Sequence, residues 1–176
     1  YPLFRKKNQH IIKSAKKFIK EELDLDVEGD PLIELEDSLI QSSISKYNIN
    51  KNQTNIILGI GGSGPTKRIP AEKFLLFMRM ALENYDCKFF LATGSNNEEQ
   101  IILNQIMCSE FKEKCVPLDK KNLNEILPII KNCQIAICND SSFSHLSAAL
   151  GIQTIVLMSD TPLIYGSYNS RMHPII

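Results

Sequence analysis

Three short stretches of this 176-residue chain carry side chains and backbone suited to holding the phosphates or the ribose of a nucleotide. The most concentrated is residues 139–151, NDSSFSHLSAALG. Asp140, Ser141 and Ser142 are residue types whose short side-chain oxygens accept from the free N–H groups of a helix's first turn. The following residues turn helical, with Leu146, Ala149 and Leu150 on one face, and Gly151 suits the left-handed stop. Free N–H groups and a positive dipole end, placed where a strand finishes, make a natural phosphate site. The same residues also describe a helix that is merely well capped, and taken alone they favour that plainer reading.

The second stretch is Gly61-Gly62-Ser63-Gly64-Pro65-Thr66-Lys67-Arg68. Its glycines let backbone N–H groups approach a ligand, and Lys67 brings a positive charge to the same edge, a pairing that suits a diphosphate. It is not a Walker A loop, since Lys67 follows Gly-Pro-Thr and no Ser or Thr comes after it. Nor is it G-x-G-x-x-G. Any tight strand-to-helix connection would also use such glycines. In the third stretch, Gly94 leads to Glu98, a carboxylate able to accept from both hydroxyls of a ribose. Glu98 serves equally well as a first-turn acid stabilising a helix dipole. His145 sits one turn into the helix after Asp140, where a histidine is more often simply satisfied by its neighbours.

Other chemistries find no support. Asp140, His145 and several serines lie close together, but there is no G-x-S-x-G elbow for a hydrolase. None of these three stretches carries a D-x-D that would suggest a metal-dependent transferase. The five cysteines lack C-x-x-C spacing and several sit in apolar segments, which favours a reducing cytoplasm over disulfides or zinc. The three histidines are scattered, so no metal site is expected. Twenty basic residues balance twenty acidic ones, which removes any overall field toward nucleic acid. No apolar run approaches the roughly 20 residues of a membrane span. The chain opens on Tyr1 rather than Met and is read as a fragment.

The elements that must position these loops are legible from the apolar runs. Residues 1–23 predict a basic amphipathic helix, with Ile11, Ile12, Ala15, Phe18, Ile19 and Leu23 as its stripe. Such a helix can lie on a membrane, though its stripe more often packs on a neighbouring domain. Residues 24–53 read as a polar linker with at most one short strand or helix. From residue 54 the pattern is regular: strands over 56–60, 88–92, 115–118, 134–138 and 152–158 alternate with helices over 70–85, 98–108, 123–131 and 142–150. Pro128 argues for a kink or break in the third helix, and the tail after 158 reads as loop. Alternation of this kind predicts an α/β fold, a Rossmann-like parallel sheet of about five strands with helices on both faces. The domain division is then 1–53 for helix and linker and 54–176 for the sheet domain. Loops 61–68, 93–98, 139–142 and 159–162 would all open on one crevice at the carboxyl ends of the strands.

Together these loops resemble the C-terminal domain of glycosyltransferase family nine, the ADP-heptose:lipopolysaccharide heptosyltransferases. The family's Gly/Ser loop before Lys-Arg-Trp-Pro is matched by Gly61-Gly62-Ser63 and Lys67-Arg68-Ile69-Pro70. Its Gly-rich loop leading to Glu is matched by residues 94–98. Its Asn-Asp-Thr/Ser-Gly-x-x-His-Leu-x-Ala-Ala-Leu-Gly motif is similar to residues 139–151. A closing pattern resembles Thr161-Pro162 and Tyr165-Gly166-Ser167-Tyr168. Ser142 stands where the family usually has Gly, and Ile69 where it usually has Trp.

The resemblance implies the nucleotide-sugar-binding half of a GT-B enzyme that is inverting and needs no metal or other cofactor. Asp140, Ser141, Ser142 and Phe143 would then meet the donor's diphosphate, largely through backbone amides. Lys67 would stabilise the leaving group, Glu98 would hold the ribose, and Gly62, Ser63 and His145 would line the donor pocket. The general base belongs to an N-terminal domain, so this chain alone is expected to bind donor without turnover. The implied partners are a nucleotide-sugar donor, a lipopolysaccharide-core or other glycan acceptor, and that N-terminal domain, with no nucleic acid. The implied place is the cytoplasm, at the periphery of the inner membrane. A non-catalytic nucleotide-binding module is the alternative. A Rossmann-like epimerase or dehydrogenase would need a dinucleotide loop, or a catalytic Tyr/Lys or carboxylate pair, and neither is found.

Overall fold

A computed structural model describes residues 11–176; the first ten residues of the helix predicted over 1–23, His10 among them, lie outside the described residues. The strands are β1 (Thr54–Gly59), β2 (Cys87–Ala92), β3 (Cys115–Pro117), β4 (Ile135–Asn139), β5 (Gln153–Leu157) and β6 (Met172–Ile175). The helices are α1 (Ile11–Leu23), α2 (Asp37–Lys46), α3 (Ala71–Asn84), α4 (Asn97–Met107), α5 (Leu123–Lys131) and α6 (Ser142–Ala149).

The strands form one parallel sheet in the order β3-β2-β1-β4-β5-β6. The near-continuous apolar sequences of β1, β2 and β4 follow from burial of both faces. Ile57 and Phe90 point into a core with Ile126, Ile129 and Ile130 of α5. Their neighbours Ile56, Leu58, Phe89 and Leu91 point the other way, against Phe74 and Met78 of α3 and Leu103 and Ile106 of α4. Beside α3, the same face of β4, β5 and β6 carries a surface groove lined by Phe77, Ile137, Ile155 and Leu157.

Three features depart from or extend the sequence expectation. β6 lies in the tail read as loop. Pro174 disguised it, because proline is tolerated in a strand only where one side needs no partner, and β6 is the outermost strand. α5 runs through Pro128 without a break. It is held by a capping box between Asn122 and Glu125, and the Pro128 carbonyl accepts from Asn132 Nδ2 at 2.9 Å and Ser43 Oγ at 3.3 Å. The segment read as a linker contains α2, whose Ile44 packs on the sheet core together with Ile33, Leu35, Tyr47 and Ile49. Ile33 N–H also donates to Ala149 O at 2.9 Å, tying this segment to the end of α6.

Sheet order reverses between β1 and β4. The strands after β1 step outward on one side, and those after β4 step outward on the other. A parallel sheet opens a crevice at the carboxyl ends of the strands flanking such a reversal. No described helix is long and apolar enough to cross a membrane.

Candidate functional site

Asn139 ends β4 at the reversal and is fully buried. Its Nδ2 donates to Ile60 O at 2.9 Å and Gly61 O at 3.3 Å, which pins the loop leaving β1 to the end of β4. A second clamp comes from β2's side. Glu99 is buried, and its Oε1 accepts from Gly62 N–H at 2.7 Å. Its orientation is set by Asn96, the N-cap of α4, whose side chain accepts from Glu99 N–H at 2.9 Å. A methyl group on Gly61 would lie 2.6 Å from Glu99 Oε1, and one on Gly94 would meet Oε2 more closely still. A side chain at either glycine would therefore have to displace the Glu99 carboxylate.

Between the two clamps lies a cleft of about 520 Å³. Gly62 and Ser63 line it from the first loop, Thr93, Asn96 and Glu99 from the second, and Ser141, Ser142 and Phe143 from the start of α6. Polar groups converge here without being satisfied: Thr93 Oγ1 and Ser141 Oγ are buried with no protein hydrogen-bond partner. Ser141 is the N-cap of α6, yet its side chain makes no capping hydrogen bond. The capping predicted for Asp140 and Ser141 is thus not what these side chains do; Ser144 N–H bonds Ser141 O at 3.1 Å, and no side-chain cap covers the N–H groups of Ser142 and Phe143.

Asp140 turns instead to Lys67, Nζ to Oδ2 at 2.7 Å, with the carboxylate 6% exposed and the lysine 26%. Burial works to raise the Asp140 pKa, but hydrogen bonds from Lys67 and Thr161 and the charges of Lys67 and His145 hold it below its ordinary value. Thr66 Oγ1 donates to Asp160 Oδ2 at 2.8 Å, so the fourth loop joins the first. Arg68 bridges outward: Nη1 donates to Gly62 O at 2.9 Å, and Nη2 pairs with Glu98 Oε2. Glu98 stands at the rim, its side chain 68% exposed. His145 is half-buried, with Nδ1 2.8 Å from the Tyr168 hydroxyl.

Gly62, Ser63, Ser141, Ser142 and Phe143 are therefore brought to one cleft. Lys67 and Asp140 are joined beside it, while Glu98 and His145 belong to adjoining contacts rather than to its lining. Sequence reasoning gave no site role to Glu99, Thr93, Asn96, Asn139 and Tyr168. Glu99 had a signal in Asn96: an N-cap three residues before an acid fixes which of two adjacent glutamates turns inward. Among the described residues no three His, Cys, Asp or Glu side chains converge as a metal site would require.

Comparison with known proteins bears on the family and the fold. The family model for glycosyltransferase family 9 (heptosyltransferase) matches residues 3–173. Lipopolysaccharide heptosyltransferase 1 of Campylobacter coli is 25% identical over 144 residues, covering 81% of this chain and 42% of that protein. Two solved structures share the fold. A family 9 glycosyl transferase from Veillonella parvula superposes with a TM-score of 0.75 at 22% identity, over 96% of this chain and 49% of that one. E. coli heptosyltransferase WaaC, solved with ADP, gives 0.70 at 16% identity, over 96% and 51%. The chain spans about half the length of these relatives or less.

Proposed function

This chain belongs to glycosyltransferase family 9, and from that premise we propose that it is the donor-binding half of an inverting heptosyltransferase of lipopolysaccharide-core synthesis. The observation that carries the reading is the Lys67–Asp140 pair beside an uncapped helix start, at the sheet's reversal point. An ADP-sugar's diphosphate would lie against the N–H groups that open α6 at Ser142 and Phe143. Asp140 keeps Lys67 there, and the ammonium between carboxylate and diphosphate relieves what would otherwise be repulsion. Glu98, steadied at the rim by Arg68, is assigned the ribose hydroxyls. Ser63 and the unpartnered hydroxyls of Thr93 and Ser141 offer further polar contacts.

In the reaction an acceptor hydroxyl oxygen attacks the anomeric carbon from the face opposite the diphosphate. The bond from that carbon to the phosphate oxygen breaks, and its electron pair leaves with the nucleoside diphosphate. The hydroxyl proton passes to a general base that the reading places in an N-terminal domain. Negative charge grows on the departing diphosphate, and Lys67 and the fixed N–H dipoles of α6 oppose it without reorganising. The reading assigns this charge stabilisation to protein groups, with no metal or other cofactor. It places the enzyme in the cytoplasm, where it would meet a glycan acceptor at the inner-membrane surface.

The test is a thermal-shift titration of the full-length protein with ADP, UDP, GDP and NAD. At a hundred times its dissociation constant the cognate nucleotide should add about 2.7 kcal/mol, a rise of about 4 °C for a protein about twice the length of this chain. Lys67→Gln keeps a donor for Asp140 but removes the charge, and should weaken ADP by about tenfold or more. Equal stabilisation by NAD, or an unchanged ADP affinity in Lys67→Gln, would reject the reading.

A further inference from the structure

Tyr168 lies beyond the four loops, in the segment joining β5 to β6, and the reading above gives it no task. Its hydroxyl is 2.8 Å from His145 Nδ1. Its ring also stacks on the imidazole, with centroids 5.5 Å apart and planes within 12°. One contact engages a single ring nitrogen and the other sets the plane of the ring. We propose that Tyr168 is a positioning residue that locks His145 as the neutral Nε2–H tautomer, leaving that N–H to donate to a phosphate oxygen of the donor.

The inference rests on the donor-site reading and follows from the chemistry of the pair. A neutral imidazole has one donor nitrogen and one acceptor nitrogen, and a partner on one decides the role of the other. Burial pushes the Tyr168 phenol up, with the charge of Asp30 adding to it, so it keeps its proton and can donate. Burial pushes His145 down; Asp140 opposes this and Lys67 adds to it, so the ring is neutral near pH 7. The 2.8 Å contact accommodates either direction, and in the arrangement proposed the phenol donates to Nδ1, which places the imidazole proton on Nε2. The opposite tautomer would turn a lone pair toward whatever Nε2 meets, which an anion would not tolerate. His145 stands in α6, one turn behind the end assigned to the diphosphate, and Nε2 is the only ring nitrogen left for a ligand.

The test combines two readouts on the full-length protein. Long-range proton–nitrogen NMR of ligand-free protein should show His145 protonated on Nε2 and bare on Nδ1. Tyr168→Phe keeps the stacked ring and removes the hydroxyl; it should mix the tautomers and weaken ADP, measured by calorimetry, by about three- to tenfold. In a His145→Asn background the same change should cost nothing further, because a residue acting through another is silent once its target is gone. An Nδ1–H tautomer in the wild type, or an equal loss in both backgrounds, would overturn the proposal. If the tautomer is as stated but the wild type binds no nucleoside diphosphate, the donor-site reading has failed, and the anion contact proposed here fails with it.

Discussion

The cleft is flanked by two buried carboxylates that do opposite work. Glu99 comes from β2's side of β1 and Asp140 from β4's side, so they stand on either side of the strand where the sheet reverses. Glu99 is held by backbone: it accepts from Gly62 N–H and fills the space that side chains at Gly61 and Gly94 would need. Asp140 is held by a lysine whose long side chain is only partly buried. A backbone N–H cannot leave its partner without moving a loop, whereas an ammonium can be shared with an incoming anion. Glu99 is therefore part of the wall, and Asp140 is part of the charge balance. The contrast can be broken by treating both residues alike and asking whether they respond alike.

The largest effect is expected at Glu99. Glu99→Leu leaves Gly62 N–H buried without an acceptor, which costs about 1–3 kcal/mol. In a domain of this size that lowers the thermal midpoint by about 3–10 °C. Glu99→Gln keeps an oxygen for Gly62 and should recover most of the loss. Were Leu and Gln equally stable, Glu99 would not be holding the wall.

Asp140→Asn should cost less, about 1–2 kcal/mol at neutral pH, because the lysine partner is partly exposed and screened. The contrast with Glu99 is sharpest in the pH dependence. Asp140 titrates below its ordinary value of 3.8 when folded, so its ion pair contributes fully above that value. The contribution fades as pH falls through the lower, folded value. Denaturant melts of wild type and Asp140→Asn should therefore differ most at neutral pH and converge in acid. A gap that stayed constant down to strong acid would mean that the pair contributes nothing through charge.

The same contrast explains what the sequence disclosed. The parallel sheet was legible because both-face burial writes itself as unbroken apolar runs, such as Ile56 to Leu58 and Phe89 to Leu91. The loops were legible because glycines and short polar residues cluster where strands end. The roles inside the loops were harder to read. Glu98 and Glu99 are adjacent and chemically alike, and only the helical phase fixed by Asn96 sends one to the rim and the other inward. Asp140 looks like a capping residue in sequence, and it is drawn away by Lys67, 73 residues earlier in the chain. The edge strand β6 was hidden for a third reason: Pro174 breaks a local pattern, yet an outermost strand tolerates it.

The smallest effect is the most discriminating. Gly94→Ala adds one methyl group that meets the Glu99 carboxylate. The carboxylate ends a flexible side chain and can swing aside, but only by loosening its bond to Gly62, so the cost should be about 1 kcal/mol. Gly64→Ala is the control, since its methyl group would meet nothing nearer than Thr66 Oγ1 at 3.9 Å, and the backbone there is extended at φ −133°. It should be neutral or slightly stabilising. If Gly94 is glycine because of Glu99, then Gly94→Ala should cost nothing in a Glu99→Ala background. If it is glycine because a ligand approaches its backbone, the stability cost should be small in either background and the loss should appear in ADP affinity instead. The two measurements together separate the glycine that serves the wall from the glycine that serves the ligand.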